Sequence, residues 1–193
     1  NSLHAHAHNT ALNQRDAQKD ATRRALSGAA IDLFTTKGFD ETRVEDIAAA
    51  AGVTSRTFFL HFPTKEAAAF PDHNERVDAL AEALATDDSP DPLPLLRELI
   101  VLGVRATSGS RIRAKRYRLF NEIEALRHRD VLGDLDYERV LVAHLMSRSV
   151  DEFHARVLAV SIMVIARSAL TTWAHDPSCD PGDAAEAALE QLR

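Results

Sequence analysis

The sequence predicts an all-α fold on three observations. Apolar residues recur at helical spacing almost without a break from Gln18 onward, and no segment sustains strand alternation. Gly, Pro and hydroxyl residues also fall where helices would begin and end. Residues 1–17 come first and show no apolar stripe, so a disordered arm is expected there. Its alternating His4, His6 and His8 are ligands that could hold a divalent metal. A mobile tail or cloning remnant is the plainer reading, and no metal site or cofactor is expected.

The first helix places Leu26, Ala30, Leu33 and Phe34 on one face and stops at Lys37-Gly38, where Gly supplies a left-handed residue. A short second helix runs from Thr42 to Ala51, with Thr42 as N-cap and Glu45 completing a capping box. Its inner face is Val44, Ile47, Ala48 and Ala51. Gly52 ends it, Thr54 or Ser55 caps a third helix to about Phe62, and Pro63 closes that one. Thr64 caps a fourth helix from Lys65, with a kink or short break at Pro71 and a stripe of Val77, Leu80, Ala81 and Leu84.

After a linker over 86–92, helices are expected near 93–107, 110–127, 130–149, 151–176 and 181–192. The turn signals between them are Ser108-Gly109, His128-Arg129-Asp130, Ser149 and the segment 176–182. The domain boundaries drawn from this reading are an arm over 1–17, a helix-turn-helix domain over 18–64, and a second domain over 65–193.

Composition narrows the function classes. Of 193 residues 45% are hydrophobic, enough for a core, and the single Cys179 excludes an internal disulfide framework or a cysteine zinc finger. No basic region followed by an apolar stretch opens the chain, so a cytoplasmic protein is expected. The stretch from Val157 to Ala174 is broken by Ser161, Arg167, Ser168, Thr171 and Thr172, which reads as a buried helix and not a membrane span. A net charge of -6, taken alone, argues against nucleic acid. Residues 1–65, however, carry eight basic and seven acidic side chains, against fifteen and twenty-two in 66–193. The acidity belongs to the second part, and Thr54 to Lys65 contains no acid.

The segment TRVEDIAAAAGVTSRTFFLHFPTK carries the function. Two short helices meet at Gly52, Ala48 is small enough for a close crossing, and Phe58 faces inward, a helix-turn-helix pattern. Thr54, Ser55, Arg56, Thr57, Phe59 and His61 are left for the surface. Arg can read guanine edges, and Thr methyls or aromatic rings can meet the thymine methyl. Thr42 and Arg43 at the start of the second helix, with His61 and Lys65, stand where phosphates would position it. An ordinary helical hairpin with a polar face is the alternative.

The run ALSGAAIDLFTTKGFDETRVEDIAAAAGVTSRTFFLHFPTKEA resembles the TetR family of bacterial transcriptional regulators. The shared features are a first helix ending in LF, the KGF-type turn, the T-x-x-x-DIA-x-x-AGV helix and the T-F-F-x-HF-P-x-K segment. The resemblance implies a nine-helix protein whose first three helices bind double-stranded DNA and whose remainder binds ligand and dimerises. Arg56 and Phe59 would then approach bases, while Thr42, Thr57, His61 and Lys65 would approach phosphates. The family commonly carries Tyr where Phe59 stands, and often a second aromatic where Leu60 stands. The TFF and HFP variants resemble regulators from mycofactocin gene clusters of actinobacteria.

For the second part, the helix from Asp151 is apolar nearly all round and must bury two faces. The final helix could cover one and a second copy the other, giving a homodimer through the two C-terminal helices. The resemblance places an effector pocket among the middle helices, with Leu99, Leu102, Phe120, Ile123, Leu141, Leu145, Ile165 and Trp173 as lining. The cations Arg111, Arg113, Lys115, Arg116 and Arg118 either form a solvated face or, through Arg113 and Arg116, hold an anionic effector such as an acyl-CoA; another hydrophobic ligand is the alternative. No phosphate loop, nucleophile elbow or HExxH-type pair is present, so an enzyme is not expected. The expected function is a ligand-responsive regulator, a repressor released from a palindromic operator by a small molecule. An activator of the same fold, a small helical enzyme and a structural helical dimer are the alternatives.

Overall fold

A computed structural model describes residues 2–108 and 111–191, with side chains from Arg15 onward except Arg111. The side chains of His4, His6, His8 and Arg111, and the whole of Gly109, lie outside what the structure describes. Among the described residues there are nine α-helices and no strand. The chain divides into a head, residues 1–71, and a body, residues 72–193.

The head holds α1 (Ser2–Thr36), α2 (Val44–Ala50), α3 (Ser55–His61) and a 3-10 turn at Ala67–Ala69. The backbone of α1 runs back through the stretch expected as an arm, where no Gly or Pro interrupts a run rich in Ala, Gln and Arg. Its buried apolar residues are Leu26, Ala30, Ile31 and Phe34. They form the head's core with Ile47, Ala48, Phe58 and Phe62. The 3-10 turn packs on α1, which carries the head past the expected boundary at 64.

The body holds α4 (His73–Ala85), α5 (Leu93–Ser108), α6 (Arg111–Glu122), α7 (Glu124–Ser147), α8 (Glu152–His175) and α9 (Pro181–Glu190). The fourth helix therefore breaks at Pro71, as the sequence predicts. Thr64 still caps: its hydroxyl accepts the Ala67 N–H at 3.3 Å, but it opens the 3-10 turn.

The junction of α6 and α7 lies at Ile123, not at His128-Arg129-Asp130. Ile123 is extended (φ -110°, ψ 110°), and α7 passes unbroken through the charged trio. Charged residues do not themselves stop a helix, and Asp130 is held there by Arg167 of α8 at 3.3 Å. At the far end of α7, Ser149 takes φ +66°. Val150 N–H bonds the Leu145 carbonyl and Ser149 N–H that of Met146, a Schellman closure built without glycine.

Helix α8 threads the body core with Ala155, Ala159, Ile162, Met163, Ala169, Leu170 and Trp173, while α9 packs on it and on α5. By length and composition α8 could also cross a membrane. One face is packed within the body; the other presents Phe153, Val157, Val160 and Val164 to solvent.

Candidate nucleic-acid interface

The turn between α2 and α3 is a complete Schellman motif. Val53 N–H bonds the Ala48 carbonyl at 2.9 Å and Gly52 N–H that of Ala49 at 3.0 Å, with Gly52 at φ +71°. Thr54 then caps α3, its hydroxyl accepting the Thr57 N–H at 3.2 Å. Phe58 is fully buried, with its ring 5.8 Å from Phe62, and this fixes which face of α3 looks outward. On that face Thr54, Arg56, Phe59 and Leu60 are exposed and Ser55 and Thr57 partly so. Leu60 is 74% exposed, more than Phe59 at 56%, so the outward apolar surface is larger than the sequence reading assigned.

Two expected phosphate contacts, Thr42 and Lys65, are engaged elsewhere. Thr42 is not the cap of α2: it is 1% exposed and its hydroxyl donates to the Gly38 carbonyl at 2.6 Å. Arg43 occupies the cap position, and the Asp46 carboxylate, not Glu45, accepts the Arg43 N–H at 3.0 Å. The side chain of Arg43 is exposed beside it. Asp46 also takes Lys37 at 2.5 Å, and these two bonds hold its carboxyl below the usual range.

Lys65 turns inward as well. Its ammonium donates to the carbonyls of Phe39 (2.6 Å) and Thr42 (3.1 Å) and stands 4.0 Å over the Phe39 ring. It ties the segment after α3 to the loop before α2. His61 is half-buried with Nδ1 unpartnered; burial first, and then Arg23 and Lys19, push its pKa below the ordinary value. It is therefore neutral at neutral pH, and a phosphate would meet an imidazole and not a cation.

Sequence reasoning missed Arg23. From α1 it donates to the carbonyls of Pro71 (2.5 Å) and His61 (3.0 Å), with its guanidinium 4.7 Å over Phe62. No local signal could have found it, because the partners are 38 and 48 residues away.

In the body, the ten residues expected to line a pocket do not converge on one described cavity. Leu141 and Leu145 are fully buried core, Phe120 and Trp173 nearly so, and Leu99 and Ile165 pack partly buried against that core. Ile123 is the helix junction. Leu102 is exposed and lines an open cleft of about 430 Å³ between α5 and α9, with Arg97, Val101, Arg105 and Leu189 among its walls.

Arg113 and Arg116 leave the expected basic run and meet Asp72 at 3.4 and 3.3 Å, while Lys115 and Arg118 are exposed. Burial pushes Asp72 up, but Arg116, Arg76 and Arg113 outweigh it and hold the carboxyl below the usual range. Arg76 lies largely buried beside Tyr117 and bonds its phenol; burial drives Tyr117 up to about 12. Asp130 is raised by burial despite Arg167 and Arg116. Among the described residues, no group of His, Cys, Asp and Glu could hold a metal.

Residues 27–67 match the family model described as bacterial regulatory proteins, tetR family. The chain is 26% identical over 178 residues to the mycofactocin biosynthesis transcriptional regulator MftR of Mycobacterium tuberculosis, covering 90% of each protein. The fold is shared with NalD of Pseudomonas aeruginosa, the secondary repressor of the MexAB-OprM multidrug efflux pump. That match has a TM-score of 0.65 at 24% identity, over 90% of this chain and 96% of NalD. It is shared also with Thermus thermophilus FadR in complex with lauroyl-CoA: TM-score 0.61, 23% identity, 88% of this chain and 92% of FadR.

Proposed function

We propose that this chain, a transcriptional regulator of the TetR family, works as a ligand-responsive homodimeric repressor released from a palindromic operator by a small molecule. The observation that carries DNA reading is the outward face of α3, where Arg56, Phe59 and Leu60 stand exposed on a helix with no acid. Arg56 and Phe59 are the base-contacting side chains. Thr54, Ser55, Thr57, Arg43 and a neutral His61 supply hydrogen bonds to the backbone or to base edges. Thr42 and Lys65 act from inside, by holding the loop that precedes α2.

Pairing rests on α8. Phe153, Val157, Val160 and Val164 are 70%, 48%, 45% and 54% exposed and recur at spacings of four, three and four. That is the seam by which one helix packs along another. A second copy seated there would set two α3 helices against half-sites about one DNA turn, ~34–36 Å, apart. The effector belongs in the body. The FadR complex with lauroyl-CoA supports an acyl-CoA or another hydrophobic ligand, and the MftR match supports the mycofactocin-type subgroup. A cytoplasmic location follows from this role.

Selecting bound DNA from a random pool tests the reading. The expected winner is a palindrome bound by a species that sediments as a dimer. Recovery of no enriched sequence would remove the DNA-binding assignment, and a monomer on the DNA would remove the α8 seam.

A further inference from the structure

The C-terminal end of α3 lacks the cations that a phosphate backbone calls for. His61 is neutral at neutral pH, and the Lys65 ammonium is engaged by the Phe39 and Thr42 carbonyls. Lys37 is bonded to Asp46. Duplex DNA is held largely by neutralising its phosphates, and groups that read bases leave that attraction unfilled. The missing charge stands on α1.

Arg15, Lys19 and Arg23 recur at four-residue spacing, so they climb one side of α1 about 6 Å apart. Arg23 fixes where that side faces. It donates to the His61 carbonyl at 3.0 Å and to that of Pro71, which sets this stripe of α1 beside the last turn of α3. Lys19 lies one turn back, near enough for its charge to act on the His61 ring. Arg15 lies one turn farther. Both are exposed, and among the described residues neither has a carboxylate within ion-pair distance. The acids of the same stretch, Asp16 and Asp20, stand about 60–100° round the helix from Lys19 and about 100–140° from Arg15.

We propose that Lys19 and Arg15 form a phosphate-binding stripe on α1 that takes the DNA backbone beyond the bases read by α3. This rests on the DNA-reading role of α3 and adds to each head a second contact that is blind to sequence. An exposed ammonium and an exposed guanidinium meet a phosphodiester as a point charge and a fork of N–H donors, and neither needs a base edge. Arg23, the third member, does not touch DNA; it holds the stripe in register with His61.

Fluorescence anisotropy of the full chain on two labelled duplexes tests this, each titrated across a range of potassium chloride. One carries the palindrome recovered by selection; the other is a scrambled duplex of the same length and composition. Lys19→Gln and Arg15→Gln should each lower the slope of log affinity against log salt by about 0.9 for every head bound. Both duplexes should weaken by the same factor, so that the preference for the palindrome is unchanged. Lys19→Arg should restore the parent slope. Arg24→Gln is the control: Arg24 is exposed on the same helix, about 140° round from Lys19, and its loss should leave the slope as it was. All four variants should keep the parent's circular dichroism and thermal midpoint, because each side chain lies in solvent.

A parent that binds neither duplex overturns the DNA-reading role and the stripe together. A parent that binds, with slopes unchanged in Lys19→Gln and Arg15→Gln, overturns the stripe alone. An equal fall in Arg24→Gln does so too, by assigning the effect to net charge. A loss confined to the palindrome also overturns it, by assigning the two side chains to bases.

Discussion

In the head, Arg56 stands in solvent on a helix without acids, whereas in the body Arg116 is buried and shares one carboxylate with Arg113. The difference teaches where each region's chemistry was written. The head's outward face is set by four consecutive local decisions: the Gly52 closure, the Thr54 cap, the inward Phe58 and the stop at Pro63. Its remaining polar groups, Thr42, Lys65 and Arg23, are occupied in holding that face in place. The body's cluster is assembled from α4, α6, α7 and α8, and its members face each other only after the helices have packed.

The sharpest way to break the comparison is Phe58→Ala. A fully buried aromatic side chain lost from so small a core should cost about 3–5 kcal/mol. In differential scanning calorimetry the head should unfold first, with the body's transition unmoved. A single shifted transition would mean that the two regions do not melt as separate units.

Next in size is the contrast between Arg56 and Lys65. Arg56→Ala should lower operator affinity by roughly tenfold to hundredfold, about 1–3 kcal/mol, and relax specificity, with unchanged thermal stability. Lys65→Ala should do the reverse and destabilise the head by roughly 1–2 kcal/mol through two lost charge-assisted bonds. It should leave the salt dependence of DNA binding unaltered. A salt slope that drops by about one would restore Lys65 to the phosphate backbone.

Smaller again is Ser149→Gly. A non-glycine residue at φ +66° carries roughly 1–2 kcal/mol of steric cost, so the body should gain up to about 1 kcal/mol, read as a higher midpoint in urea. The head should not respond.

The smallest expected effect is a pH slope. The folded pKa of His61 is lowered below its ordinary value, mainly by burial. The resulting stability is full above about pH 6.5 and is lost as pH falls through that value toward the folded pKa. Head unfolding followed from pH 7.5 to 5.5 should therefore show a falling midpoint, and His61→Gln should flatten it. An unchanged slope in the variant would assign the effect to another group.

The legibility of the sequence follows the same division. Phe58, Gly52, the cap at Thr54 and the break at Pro71 are readable because each depends on neighbours within a turn or two. Thr42 misleads for a physical reason: of Thr42, Arg43 and Val44 it alone carries a capping oxygen, yet α2 starts one residue later, with Arg43 at the cap position. Only the distance from Gly38 to Thr42 decides that the hydroxyl turns back into the loop. The charged trio at 128–130 misleads in the same way, because Asp130 finds Arg167 thirty-seven residues on. Arg76 carried no signal at all. Its interest comes from lying beside Tyr117, and no spacing within α4 records that.

The outward stripe of α8 has one more consequence. Phe153, Val157, Val160 and Val164 share the helix with Ala159, Ile162 and Leu170 but not a face, so a change in the first set leaves the core's packing untouched. The two faces can thus vary separately. If the stripe pairs two copies as proposed, then where several related chains coexist in a cell it can diverge until like pairs only with like, at no cost to the fold that carries it. On that proposal, insulation between paralogues rests on four side chains of one helix.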